Sequence, residues 1–266
     1  MTSTQSQQRW AIVPAAGSGQ RYSAELPKQY ANLANKAVLQ HSLEALLDSA
    51  LFTGVVVALA MDDQRFETLP AASDSRIVSC IGGASRAQSV LNALQALKNK
   101  AQPDDWVMVH DAARPLVRSA TIKKLYDTLC DDAIGGILAA PMHDTLKQTH
   151  ANTLVQPPVI EQTLDRANIW AAQTPQMFRY QMLSDALKNA LLDDAGIGIT
   201  DEASALEKSG YKVRLVQGER SNFKITTSED MTLASFYIKL QDSMKDKVKG
   251  TVKSSVRTTG SQGAQT

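Results

Sequence analysis

Aromatic residues are scarce in this chain, at 5% of 266 positions, while hydrophobic residues make up 43%. Its core must therefore be aliphatic, as is common in α/β proteins. Cysteine is rarer still. Cys80 and Cys130 are the only two, they lack CxxC spacing, and they fall in a strand-like and a helix-like run. That excludes a disulfide framework and predicts a reduced, cytoplasmic protein. An excess of one charge sign is also missing. A net charge of +1 offers no broad electrostatic footprint for nucleic acid or a membrane surface. No apolar run reaches transmembrane length, and the polar stretch Met1–Arg9 lacks the apolar segment of a signal peptide. HExxH, GxSxG and paired Cys/His spacings are absent, which argues against hydrolase and zinc chemistry.

What is present begins with Ile12-Val13-Pro14-Ala15-Ala16-Gly17-Ser18-Gly19-Gln20-Arg21-Tyr22, followed by Pro27-Lys28-Gln29. An apolar strand opens into a Gly-X-Gly turn whose glycines let the backbone approach phosphate oxygens. Arg21 adds a planar fork of donors and Lys28 a mobile point charge. The loop is no P-loop, since GxxxxGK[ST] does not occur. It is no dinucleotide fingerprint either, because Tyr22 stands where the third glycine belongs and no acid closes an early second strand. A plain βα connection remains the bland alternative for such a turn, and the two cations weigh against it.

A second Gly-rich loop, Gly82-Gly83-Ala84-Ser85-Arg86, follows a strand and opens a helix, with Ser89 one turn in and able to point back into the same crevice. His110-Asp111-Ala112-Ala113-Arg114 ends a buried strand, where ligands of open α/β sheets bind. Asp111 there can hold a metal or a hydroxyl, and Arg114 can anchor a phosphate or orient Asp111; a purely structural pair is the alternative. His110 has no nucleophile beside it in sequence and is a poor candidate for a base. Thr145, Arg166, Thr174, Thr200 and Lys224 complete an inventory of hydroxyls and cations without a nucleophile. Such an inventory suits phosphoryl or nucleotidyl transfer by positioning and electrostatics.

Strand-like runs at Trp10–Pro14, Gly54–Ala60, Arg76–Cys80, Trp106–Val109 and Ile134–Ala140 alternate with helix-like ones at His41–Ser49, Asp62–Thr68, Ser85–Asn99 and Ser119–Cys130. The alternation predicts an α/β fold with a mostly parallel sheet. From Pro141 to Ala172 the rhythm breaks, and short runs at Thr145–Gln148 and Leu154–Gln156 predict a two-stranded arm of the kind that joins dimers. The rhythm resumes with helices at Arg179–Asp193, Asp201–Ser209 (capped by Thr200) and Ser228–Leu240, and a strand at Lys212–Val216. Residues 1–240 then form the domain. Gln241–Thr266, rich in Lys, Ser, Thr and Gly, reads as a mostly disordered tail.

Taken in order, Pro14 to Arg21, Pro27-Lys28-Gln29-Tyr30, Gly82-Gly83 with Arg86 and Ser89-Val90, His110 to Pro115, Asp165-Arg166, Gln173-Thr174-Pro175-Gln176, Thr200-Asp201-Glu202-Ala203 and Asn222-Phe223-Lys224-Ile225-Thr226 resemble the 2-C-methyl-D-erythritol 4-phosphate cytidylyltransferase family. The resemblance implies a Rossmann-like nucleotidyltransferase fold with a projecting β-arm, and a homodimer joined through that arm. It implies CTP and 2-C-methyl-D-erythritol 4-phosphate as substrates, with pyrophosphate released in non-mevalonate isoprenoid biosynthesis. Arg21, Lys28, Arg166 (from the partner's arm) and Lys224 match the family's catalytic positions. Ala15, Ala16, Gly17, Gly19, Gly82, Gly83, Ser89, Asp111, Arg114, Thr145, Thr174 and Thr200 match substrate-contacting ones. Mg²⁺ is implied as cofactor, held mainly by the CTP phosphates with Asp111 as its candidate protein ligand. Gln20 departs from relatives that carry a second basic residue there, and the tail is too short for a fused second enzyme. The rival readings are a cytidylyltransferase for a pentitol phosphate such as ribitol 5-phosphate, and a non-catalytic nucleotide-binding module.

Overall fold

A computed structural model describes residues 7–17, 26–149, 157–194 and 198–258 of the chain, with side chains described except at 193–194 and 244–258. In chain order the elements are β1 (Arg9–Pro14), a minimal hairpin of β2 (Asn32–Leu33) and β3 (Lys36–Ala37), α1 (Val38–Asp48), β4 (Gly54–Leu59), β5 (Ile77–Ile81), α2 (Arg86–Ala96), β6 (Trp106–Val109) and α3 (Ser119–Leu129). Then come β7 (Gly135–Pro141), β8 (Leu146–Thr149), β9 (Ile160–Leu164), β10 (Trp170–Arg179), α4 (Tyr180–Asp194), α5 (Glu202–Lys208), β11 (Arg214–Gln217) and α6 (Ser228–Thr258).

Seven strands form one sheet in the order β11-β7-β10-β6-β1-β4-β5. All neighbours pair in parallel except β10, which is antiparallel to both β6 and β7. Side chains alternate across the sheet with period two. Ala11 and Val13 of β1, Val55 and Val57 of β4, and Trp106 and Met108 of β6 pack one face against α1 and α3. Trp10 and Ile12, Val56 and Ala58, and Val107 and Val109 pack the other against α2, α4 and α5. Side chains buried this fully contribute roughly 1.5–3 kcal/mol each, so the two faces hold the frame on which the loops are mounted. The α/β fold with a mostly parallel sheet is therefore as the alternation implied.

The strand order reverses at β1: β4 and β5 lie to one side and β6 to the other. This switch point is where the loops after β1, β5 and β6 diverge and leave a crevice at their carboxyl ends. At the far side, β7 starts on Gly135 with φ +117°, and a Cβ there would stand 2.0 Å from the Met177 carbonyl oxygen. Only glycine lets β7 and β10 approach so closely.

Several elements depart from expectation. β10, the longest strand at 10 residues, carries Pro175, which argues against a central strand. The ladder accommodates it at a register shift between Ala172 and Gln176. The segment Asp62–Thr68 is no α-helix but gives way to 3₁₀ turns at Phe66–Thr68 and Pro70–Ser73. The Asp63 carboxylate accepts from the Arg65 and Phe66 N–H groups, a local alternative to helix. The cap of α5 is Asp201 rather than Thr200, in a reciprocal capping box with Ser204.

The expected arm is present as antiparallel β8 and β9, although Leu154–Gln156 lie outside the described residues. α6 runs on to Thr258, well into the stretch read as a disordered tail. Between Gln241 and Lys249 the chain has no glycine or proline, so helix propensity is kept despite the charge. Among the described residues no helix is long and apolar enough to cross a membrane.

Candidate active site

A cleft of about 540 Å³ opens at the switch point, lined by Ala15, Ala16 and Gly17 after β1, Gly83 to Arg86 after β5, Asp111 to Ala113 after β6, and Lys28, Ser89 and Lys224. A second cavity of about 360 Å³ lies between α1 and α6; Pro115 lines it, but none of the candidate site residues does.

The loop after β1 is held by Gln29, whose amide donates to the carbonyls of Ala15 (2.8 Å) and Gly17 (3.0 Å). Gln29 comes from the 3₁₀ turn Lys28–Tyr30, which also sets Lys28 at the cleft, its Nζ 3.2 Å from the Ile225 carbonyl. Gly19 and Arg21 lie outside the described residues. In the loop after β5, a Cβ on Gly82 would fall 2.5 Å from the Ala16 Cβ, so glycine lets the two loops touch. The buried Ser89 hydroxyl accepts from the Gly83 N–H (3.0 Å) and donates to the Ser85 carbonyl (2.9 Å). Ser85 caps α2 as expected, accepting from Gln88 N–H.

Asp111 is the electrostatic centre of the cleft. Its Oδ1 lies 2.9 Å from Arg86 Nε, and its Oδ2 lies 3.0 Å from Lys224 Nζ and 3.5 Å from Arg114 Nε. Burial alone would raise its pKa, but the charges of Arg86, Lys224 and Arg114 outweigh that and hold it well below the carboxylate range. Arg86 turns its outer nitrogens to the buried Glu202, at 2.7 and 2.9 Å. Burial would lower the guanidinium's pKa, and the two carboxylates reverse that and hold it above its ordinary value. With Lys28 and Lys224 also present, cations outnumber carboxylates, which suits a polyanionic ligand.

His110 is fully buried, and desolvation lowers its pKa to about 4. The Arg114 carbonyl, 3.1 Å from His110 Nε2, can only accept, so Nε2 carries the proton of the neutral ring and donates it there. Nδ1 then accepts from the Thr174 hydroxyl at 3.0 Å, whose oxygen in turn accepts from the Asp111 N–H (3.0 Å). The ring is a neutral strut under the Asp111 loop and offers no base to the cleft.

Arg114 does not line the cleft. It ties the carbonyls of Asn222 (2.8 Å) and Ala172 (3.2 Å) to the loop after β6, so it orients Asp111 rather than meeting solvent. Thr174 is likewise buried beneath Asp111, and Thr200 is exposed at the start of α5. Lys224 rides an irregular segment, not the strand end expected of it, joined by Ile225 N–H to the Ala113 carbonyl at 2.8 Å. Thr145 and Arg166 sit on the arm, outside this cleft, with Arg166 donating to the His143 carbonyl.

Sequence reasoning left out Glu202, Gln29 and Gln176 as site residues, and gave Arg86 no role. Arg86 and Glu202 lie 116 positions apart, and no local pattern couples them. The one available signal was that both fall within motifs singled out for other residues.

A family model described as 2-C-methyl-D-erythritol 4-phosphate cytidylyltransferase matches residues 10–240. A protein of that name from Pseudomonas entomophila (strain L48) is 47% identical over 223 residues, 84% of this chain and 92% of that one. One from Vibrio vulnificus (strain CMCP6) is 46% identical over 235 residues, 88% of this chain and 96% of that one. The crystal structure of the Francisella tularensis 2-C-methyl-D-erythritol 4-phosphate cytidylyltransferase superposes with a TM-score of 0.73 at 36% identity, covering 86% of this chain and 99% of that one. The matched stretch runs from β1 into α6 and takes in every loop that lines the cleft, and the chain belongs to the 2-C-methyl-D-erythritol 4-phosphate cytidylyltransferase family.

Proposed function

We propose that the cleft at the switch point is where this chain joins CTP to 2-C-methyl-D-erythritol 4-phosphate, giving 4-diphosphocytidyl-2-C-methyl-D-erythritol and pyrophosphate for isoprenoid biosynthesis. The observation that carries the assignment is Asp111 gripped by Arg86, Arg114 and Lys224 on the floor of a cleft that presents two glycine loops and Lys28.

The acceptor phosphate is already ionised, so its oxygen attacks the α-phosphorus of CTP directly as the bond to the β-phosphate oxygen breaks. No base is needed, in keeping with a His110 that faces away. Charge grows on the α-phosphoryl oxygens and on the departing pyrophosphate. Cations already in place, such as Lys28 and Arg21, lower that barrier without reorganising. The backbone of Ala15–Gly17 and Gly82-Gly83 supports the nucleotide. Lys224 orients the acceptor phosphate.

The donor set suits a Mg²⁺ ion carried mainly by the triphosphate. Among the described residues no three or more His, Cys, Asp and Glu side chains gather as a metal site, and both oxygens of Asp111 already face cations. Bound there, Mg²⁺ would neutralise phosphate charge.

Arg166 and Thr145 act, in this reading, on a partner's cleft across a homodimer built through the arm. The exposure of Val159 (57%), just before β9, and of Ile160 (56%), its first residue, supports such a contact. Residues 1–240 are the catalytic unit and the cytoplasm is its site, consistent with unpaired Cys80 and Cys130.

The test is pyrophosphate release from CTP with Mg²⁺, comparing 2-C-methyl-D-erythritol 4-phosphate with ribitol 5-phosphate. Release with the former alone is expected. Release with ribitol 5-phosphate alone would move the enzyme to another acceptor, and silence with both would favour a non-catalytic nucleotide-binding module.

A further inference from the structure

Glu202 is a fully buried acid with no place in the chemistry described above. It is the first residue of α5, and Gln176 of β10 brackets it on both sides, donating to Asp201 Oδ2 (2.7 Å) and accepting from the Ala203 N–H (2.9 Å). Its carboxylate is therefore rigidly placed. Both of its oxygens take the outer nitrogens of Arg86, which leaves only Nε to reach Asp111 Oδ1. Asp111 Oδ2 thereby remains available to Lys224 at 3.0 Å.

A guanidinium and a carboxylate bind best through two parallel hydrogen bonds. Without Glu202, Arg86 gains by turning that fork on Asp111 and covering both its oxygens. Lys224 then loses its counter-ion to a competitor that is stiffer and closer to the core. Its side chain is 38% exposed and stands on an irregular segment, so little else fixes it.

We propose that Glu202 is a positioning residue for the acceptor step: by occupying the Arg86 fork it reserves Asp111 Oδ2 for Lys224 and so holds the ammonium that receives the acceptor phosphate. The proposal rests on the assignment of Lys224 to the acceptor. It makes the α5 N-terminus, which does not itself line the cleft, a determinant of acceptor use.

The experiment measures acceptor kcat/KM, CTP affinity by calorimetry and thermal midpoint for Glu202→Gln, Arg86→Met with Glu202→Gln, and Lys224→Ala. Glu202→Gln is expected to lower acceptor kcat/KM on the order of 10²-fold, as a misplaced group does, with CTP affinity kept. In the paired variant the competing fork is gone, so acceptor kcat/KM is expected to rise above that of Glu202→Gln. Where Glu202→Gln does not fold, Glu202→Asp, which withdraws the carboxylate by one methylene, carries the same expectations. The proposal is overturned by unchanged acceptor kcat/KM, by equal losses for CTP and acceptor, or by a paired variant no better than the single one. Lys224→Ala separates the two readings: normal acceptor use in that variant would remove Lys224 from the acceptor site, whatever Glu202 does.

Discussion

Lowering the pH should destabilise this protein through His110 well before Asp111, which its cationic neighbours hold far below the carboxylate range, responds. The ring is fully buried and neutral, and desolvation is the main reason its pKa falls from 6.5 to about 4; the Asp111 charge and the hydrogen bond to the Arg114 carbonyl oppose that fall, and the Arg114 charge adds to it. Because the folded value lies below the unfolded one, the unfolded chain takes up the extra proton between them. Stability is therefore complete above about pH 6.5 and declines as the pH falls towards 4. From those two values the loss between pH 7.5 and pH 5 is about 2 kcal/mol. His41, also lowered chiefly by burial, adds a contribution of the same sign, so a comparison is needed to isolate His110. Denaturant unfolding of the natural chain and His110→Gln at the two pH values supplies it: the natural chain should lose about 2 kcal/mol more. Equal losses, or a His110 imidazole resonance that titrates near 6.5 in the folded protein, would refute the assignment of a neutral, internally bonded ring.

Lys28→Ala should lower turnover on the order of 10²–10³-fold, as loss of one preorganised donor does, while the thermal midpoint barely moves; near-normal turnover would remove Lys28 from the reaction. Arg166→Ala should weaken acceptor use more than CTP binding, and unchanged acceptor kcat and KM would take it out of the site. Thr174→Val keeps shape but strips hydrogen bonds from His110 Nδ1 and Asp111 N–H, which should cost about 1–3 kcal/mol in denaturant unfolding; a cost near zero would show that the hydroxyl is dispensable. Removing residues 244–266 should leave steady-state activity intact, since Ala234 and Ile238 already anchor α6; a large loss would give the far end of that helix a role.

The sequence by itself determined the frame of the fold and the chemistry of the loops. β1, β4, β5, β6 and β7 are short apolar runs between amphipathic stretches, a pattern set by local periodicity and readable without partners. The glycines at 17, 82 and 83 and the cations at 28 and 224 announced a phosphate-handling cleft, because loop chemistry is also local. Tertiary structure decided the rest. β10 was hidden by Pro175, whose place in a central strand depends on a bulge between two neighbouring strands. Arg114 and Thr174 turned inward to hold Asp111, a choice made by burial that residue type does not reveal. The pairing of Glu202 with Arg86 came only from folding, which brings α5 and α2 onto one face of the sheet. Charges separated by a hundred positions leave no periodic trace, and their energy exists only once the chain between them has closed.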